Sequence, residues 1–191
     1  MIQELIMDVL EAISTRRSIR DFLPEAPSRD KIVALIEAAT QAPSAVNRQP
    51  WSFLVVRDRA LLDKISDGAK AFMTSTRPLE LPEQLYEKLA DPNFHVFYHA
   101  PALIVVAAEA KGPWIAEDCA LAAENLMIAA HACGLGTCWI GLSQPFLSTR
   151  EGKQMIGLPE TETPFAPIVV GYPRVSAPHP PRKPPRLRWI G

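Results

Sequence analysis

The chain has 191 residues, 48% of them hydrophobic and 21% charged, and a formal net charge of −1. That length suits one compact domain able to remove roughly 70% of its extended surface from water, and the apolar content excludes an intrinsically disordered chain. The near-neutral balance excludes duplex nucleic acid as a partner, which would require a surplus of Lys and Arg.

In chain order, Ile6, Val9, Leu10 and Ile13 have helical spacing over 1–14. The basic run Arg16-Arg17-Ser18-Ile19-Arg20 and a proline-bearing loop follow. Ser28 suits an N-cap for a helix with Ile32, Leu35, Ile36 and Ala39 on one face, which must stop near Gln41 because Pro43 disfavours helical geometry before it. Residues 43–50 are a polar turn-rich loop leading into a strand, Trp51–Val56. A helix is expected over 58–72, and residues 74–99 are expected as a mobile excursion with one short helix near Glu83–Ala90. Leu103–Val106 has the apolar run of a strand buried on both faces. A long Ala-rich helix over Trp114–Cys133, closed by Gly134, precedes a strand at Thr137–Leu142, a short helix at 148–156 and a strand at Pro167–Gly171. The proline-rich tail beyond Gly171 cannot pack a core of its own.

This order predicts a single α+β domain over 1–191, a central mixed or antiparallel sheet flanked by helices. No strand–Gly-rich loop–helix unit opens the chain, and Gly134-Leu135-Gly136 lacks the third glycine of a dinucleotide fingerprint. Cys119, Cys133 and Cys138 are an odd number in a chain too large to need staples, and are expected as reduced thiols of a cytoplasmic protein. No signal-peptide pattern is expected. The stretch 119–136 carries Glu124, Asn125 and His131 and reads as a buried helix, with no membrane partner.

Two segments could carry chemistry. The guanidinium forks of Arg16, Arg17 and Arg20 beside the Ser18 hydroxyl suit a phosphate; a solvated charge run at a helix C-terminus is the alternative. In the loop Pro43-Ser44-Ala45-Val46-Asn47-Arg48-Gln49-Pro50, the amides of Asn47 and Gln49 could read a heteroaromatic ring edge; an ordinary proline-stiffened loop is the alternative. His95 and His99 stand four apart, but no third ligand lies at a useful offset, so no metal is expected. Neither a Ser-His-Asp order, nor paired carboxylates, nor a P-loop stands out.

Together, Arg-Arg-Ser-x-Arg and Ala-Pro-Ser-Ala-x-Asn-x-Gln-Pro-Trp closely resemble the nitroreductase family of flavoproteins. Further matching stretches are Ala100–Val106, Ala122–Met127, Gly134–Gly141 and Val170–Pro173. The resemblance implies bound FMN, NADH or NADPH as donor, and a homodimer with FMN sites at the subunit interface. It further implies that Arg16 and Ser18 contact phosphate and ribityl groups, that Arg17 assists, and that Arg20 lies near the pyrimidine side of the flavin. Pro43, Ser44, Ala45 and Asn47, with Gln49, would come from the opposite subunit. Ile140, Gly141 and Leu142 would bring backbone groups to the inner flavin face, and Arg182 or Lys183 would reach the phosphate. Asn93 falls where some relatives place a flavin-contacting Asn. Residues 68–99 would roof the substrate, and the tail over 173–191 would exchange with the dimer partner. The flavin would carry the chemistry without a catalytic acid or base, passing hydride from NAD(P)H through N5 to nitroaromatics, quinones or similar acceptors by a ping-pong mechanism. The alternatives are a specialised reductive task, dehalogenation or activated-alkene reduction, and a flavin carrier or sensor without turnover.

Overall fold

The computed structural model describes residues 7–78, 80–109, 111–175, 177–178 and 180–191. Four strands form one sheet: β1 (Trp51–Val56), β2 (Ala102–Glu109), β3 (Gly136–Trp139) and β4 (Glu162–Gly171), in the order β1-β2-β4-β3 with every neighbouring pair antiparallel. Of the two sheet types expected, the antiparallel one is formed. The helices are α1 (Val9–Thr15), α2 (Arg29–Thr40), α3 (Arg59–Thr76), α4 (Glu83–Ala90), α5 (Ile115–Ala132), α6 (Gln144–Leu147) and α7 (Arg150–Ile156).

The apolar strand β2 determines the layering. Leu103, Val105 and Ala107 point to one side, where they meet Leu62, Ile65 and Ala69 of α3, Tyr86 and Leu89 of α4, and Phe146 and Leu147 of α6. Ala102, Ile104, Val106 and Ala108 point to the other, against Ile32, Leu35 and Ala39 of α2 and Cys119, Ala122, Ala123 and Leu126 of α5. A strand with period-2 side chains and no polar face needs a helical layer on each side.

The ends of the elements follow their capping chemistry. Ser28 accepts the Lys31 N–H, Asp58 the Leu61 N–H and Thr149 the Gly152 N–H, each an open donor of a helix first turn. Gly134 closes α5 at a left-handed φ of 73°, as its sequence position predicted. The open edge of β3 is covered by a parallel bridge between Ser18 and Thr137, and Phe22 bridges Pro173 beyond β4.

Four expectations are corrected. The fourth strand starts at Glu162 rather than Pro167, because the ladder absorbs Pro164 and Pro167 with a register shift between Val106 and Ala107. The third strand stops at Trp139, and Gly141–Ser143 forms a 3-10 turn leading into α6. On α1 the helical spacing marks an outward face: Val9, Leu10 and Ile13 are exposed and only Ala12 is buried; Ile6 lies outside the described residues. The fourth correction concerns 74–99. The short helix falls at Glu83–Ala90 as expected, but Tyr86, Leu89, Val96 and Phe97 are core residues, so the segment is anchored and not an excursion from the fold.

Phe97→Ala is therefore expected to cost about 3–5 kcal/mol in urea unfolding, while Glu87→Ala on the exposed side of α4 changes stability by less than about 0.5 kcal/mol. A near-neutral Phe97 variant would show that the segment is not part of the core.

Candidate cofactor site

The segment after α1 is held flat against β3. The Ile19 N–H donates to the Thr137 carbonyl at 2.9 Å, and Ser18 forms the bridge to the same strand. Such close approach depends on Gly136: a Cβ there would lie 2.7 Å from Ile19 Cγ1. With Ile19 buried, Arg16, Arg17, Ser18 and Arg20 line the outer wall, joined by Arg182 from the tail around a cleft of about 630 Å³. Ala177, Pro178, Pro180 and Pro181 supply the remaining wall. The first half of the tail thus folds onto its own chain's arginines, while 180–191 is exposed throughout.

Each arginine is fixed differently. Glu124, in the middle of α5, accepts from Arg16 Nε at 3.2 Å and Nη2 at 3.1 Å. Arg17 donates to the carbonyls of Ser14 and Arg16 at 2.8 and 2.6 Å. Arg20 lies 6.0 Å from the Tyr98 ring centroid. Among the described residues, Arg17, Arg20 and Arg182 have no carboxylate within ion-pair distance. Burial, and then Arg16 and Arg17, hold the neighbouring His131 imidazole below its ordinary pKa. A cluster of guanidinium groups with one hydroxyl and one compensating carboxylate fits a phosphomonoester such as that of FMN.

Beneath the cluster, Cys138 belongs to the core: burial pushes its thiol pKa up, with Arg20 and Ser18 opposing. Burial also raises the Cys119 thiol to about 12. Neither is a reactive thiolate at neutral pH. Of the backbone trio beyond β3, Ile140 is buried and its N–H is taken by the Pro167 carbonyl at 2.8 Å. Gly141 and Leu142 begin the 3-10 turn without a side-chain cap, and a Cβ at Gly141 would meet nothing within 4 Å. Donors and open space are therefore available at Gly141 and Leu142, not at Ile140.

The proline loop lies elsewhere. The Ala45 N–H donates to Asp118 Oδ1 at 3.0 Å, at the start of α5, and Ser44 Oγ accepts the Gln49 N–H at 2.9 Å. Asn47 and Gln49 pair through their amides at 3.1 Å. Val46, Asn47 and Gln49 all have left-handed φ, 48°, 57° and 48°. For a β-branched residue this is strained, by about 1–3 kcal/mol, yet Val46 is 87% exposed and covered by no neighbour. At the other end of α5, the Thr15 hydroxyl meets His131 Nε2 at 2.8 Å. Asp118 and Glu124 are six residues apart, about 9 Å along a helix, and no residue of the loop lines the arginine cleft. Asn93 joins neither; it is exposed in a turn, with its N–H on Asp91 Oδ1.

Sequence reasoning missed Glu124 as the clamp on Arg16, Tyr98 beside Arg20, and Asp118 as the anchor of the loop. The acid in the first turn of α5 and the polar pair in an apolar helix were the available signals; Tyr98 had none.

The nitroreductase family model matches residues 13–172. The chain belongs to that family. Over 173 residues, 87% of this chain and 78% of the relative, it is 36% identical to a protein of Methanothermobacter thermautotrophicus provisionally named NADH dehydrogenase/NAD(P)H nitroreductase. It is 30% identical over 171 residues to an iodotyrosine deiodinase of Thermotoga neapolitana, covering 87% of this chain and 89% of the relative. A crystal structure of a nitroreductase with bound FMN from Bacteroides fragilis superposes with a TM-score of 0.86 at 26% identity, over 97% of this chain and 100% of that one. The nitroreductase fold is thus shared from the arginine run through β4.

Gly136→Ala tests the site's local architecture. The added methyl would push Ile19 away and separate the arginine segment from β3, with an expected stability loss of about 1–3 kcal/mol in chemical unfolding. A neutral substitution would mean that the close approach does not position the segment.

Proposed function

We propose that this chain is an FMN-dependent oxidoreductase that takes electrons from NADH or NADPH and reduces nitroaromatics, quinones or similar small acceptors. The observation that carries this reading is the convergence of Arg16, Arg17, Ser18, Arg20 and Arg182 on one cleft; family membership supports it. Bound there, FMN supplies hydride transfer between a reduced nicotinamide and an acceptor.

The chain's own residues bind and orient. Arg16, steadied by Glu124, with Arg17, Ser18 and Arg182, neutralises the phosphate and holds the ribityl chain. Arg20 places a cation at the pyrimidine edge, where it favours negative charge on the ring. Gly141 and Leu142 offer backbone N–H groups to the inner face. No side chain is assigned a proton-transfer role. Tyr98, at the end of the 68–99 segment and beside Arg20, supports placing that segment as the roof of the cavity.

The site is completed, in this reading, by a second copy of the chain. Pro43, Ser44, Ala45, Asn47 and Gln49 belong to the half-site at the far end of α5 and serve the partner's flavin. The exposed Val46 and the outward stripe Val9, Leu10 and Ile13 support a subunit interface. Exposed Leu187, Trp189 and Ile190 support exchange of the tail beyond Arg182, with the stretch up to Arg182 staying on its own chain. A cytoplasmic location completes the reading. Among the described residues, no helix is long and apolar enough to cross a membrane.

Dehalogenation is the second reading, favoured by the 30% identity to an iodotyrosine deiodinase. An anaerobic acceptor screen separates the two. Nitroaromatics and quinones are expected to turn over with parallel double-reciprocal lines, as donor and acceptor use one cavity in turn. Activity restricted to halogenated phenols would select the second reading. Failure of NAD(P)H to bleach the flavin would indicate a carrier without turnover.

The shared site predicts that flavin retention depends on protein concentration. On dilution, free-flavin fluorescence is expected to rise together with monomer content in sedimentation velocity. A monomer that retains its flavin would overturn the shared site.

A further inference from the structure

Outside the arginine cleft, the turn that carries Tyr98 and helix α3 bring together a group of side chains the proposed chemistry does not use. Asp63 of α3, His95 and His99 each offer one ligand atom, and these atoms lie within 4.8 Å of one another. The sequence expectation that no third ligand exists is corrected here: α3 packs against the 91–99 turn and brings in Asp63 from 32 residues upstream of His95. His95 Nε2 is 3.1 Å from Asp63 Oδ1, and the two imidazole centroids are 4.3 Å apart. They line a small cavity of about 100 Å³ with Arg59, Leu62 and Ala100. Arg59, the one cation on that wall, is turned away, donating to the Pro24 carbonyl at 2.6 Å.

The backbone is distorted to make this arrangement. Tyr98 and His99 are consecutive non-glycine residues with φ of 53°. Two such residues cost about 1–3 kcal/mol each, and the second returns the His99 ring over His95. We infer that Asp63, His95 and His99 form a binding site for a divalent transition-metal ion of the zinc type, which fastens the 94–99 turn to α3.

The donor set, two imidazole nitrogens and one carboxylate oxygen with an open outer position, suits a borderline ion such as Zn²⁺ rather than Mg²⁺ or Ca²⁺, which prefer oxygen ligands. Ligands about 2.0–2.2 Å from a tetrahedral ion lie about 3.4 Å apart. The three donors, within 4.8 Å of one another, must therefore close by about 1.4 Å at most, within reach of rotations of the exposed Asp63 and His99 side chains. His95 Nδ1 now accepts the Phe97 N–H at 3.1 Å, which leaves the ring proton on Nε2 toward Asp63. An ion bound at Nε2 takes that proton's place. The proton moves to Nδ1, so the bonds from the Phe97 and His99 N–H groups, at 3.1 and 3.4 Å, both open, at a cost of about 1 kcal/mol each. The site is independent of the flavin assignment, since none of its residues lines the arginine cleft.

The test is calorimetric titration of Zn²⁺ into chelator-treated protein carrying no polyhistidine tag, otherwise as purified, beside the His99→Ala and Asp63→Asn variants. Both changes are at exposed side chains, and circular dichroism confirms folding. One saturable site per chain is expected, with affinity falling at least about tenfold in each variant. Zn²⁺ should raise the thermal midpoint of the wild type and leave that of His99→Ala unmoved. Absence of saturable binding, or binding kept by either variant, would overturn the site; binding kept by both would place zinc elsewhere, as at Cys133 or His131.

Discussion

The hydrogen bonds and ion pairs made by three polar residues of α5 tie the proline loop, the first arginine and the end of α1 to one helix. Asp118 holds the proline loop through the Ala45 amide, Glu124 holds the Arg16 guanidinium, and His131 meets Thr15 at the end of α1. The buried face of α5 is apolar and packs against the even-numbered side chains of β2. The helix cannot tilt or slide without uncovering that face, so Asp118 and Glu124 hold the proline loop and Arg16 at a fixed spacing. Asp118 is 3% exposed, and its Oδ2 has no partner among the described residues. A buried carboxylate with one oxygen unpaired carries a real desolvation cost, which the fold accepts where a strained loop has to be anchored.

Much of this was legible in the sequence for physical reasons. Pro43 marked the end of α2, Gly134 the end of α5, and the run Leu103–Val106 a strand covered on both faces. The arginine run alone left a phosphate site and a solvated charge run open, and only beside the second motif did it point to a cofactor. Boundaries failed where local and tertiary signals conflict. The fourth strand was expected from Pro167, but a register shift between Val106 and Ala107 lets the ladder run back past Pro164 to Glu162. Residues 74–99 read as polar overall because their apolar members, Tyr86, Leu89, Val96 and Phe97, are spread along a helix and a turn without one clean period.

What could not be read was any pairing between segments distant in sequence. Glu124 lies 108 residues from Arg16, and Asp63 lies 32 from His95. Both pairs are created by layer packing. The helix template applied to His95 and His99 was also the wrong one, because these residues lie in a turn whose left-handed Tyr98 and His99 have no sequence signature.

The net charge of −1 conceals the electrostatics of the site. Of the arginines lining the cleft, only Arg16 is paired with a carboxylate among the described residues, and Glu124, its partner, is half-exposed on the neighbouring helix. Arg17 spends part of its fork on backbone carbonyls, which fixes its direction without cancelling its charge. Repulsion among the guanidinium groups is a standing cost; solvent screening keeps it small at Arg182 and Arg20, both exposed, and it is felt most at Arg16 and Arg17, which are partly buried. A net charge near zero thus coexists with a concentration of cationic side chains around one cleft.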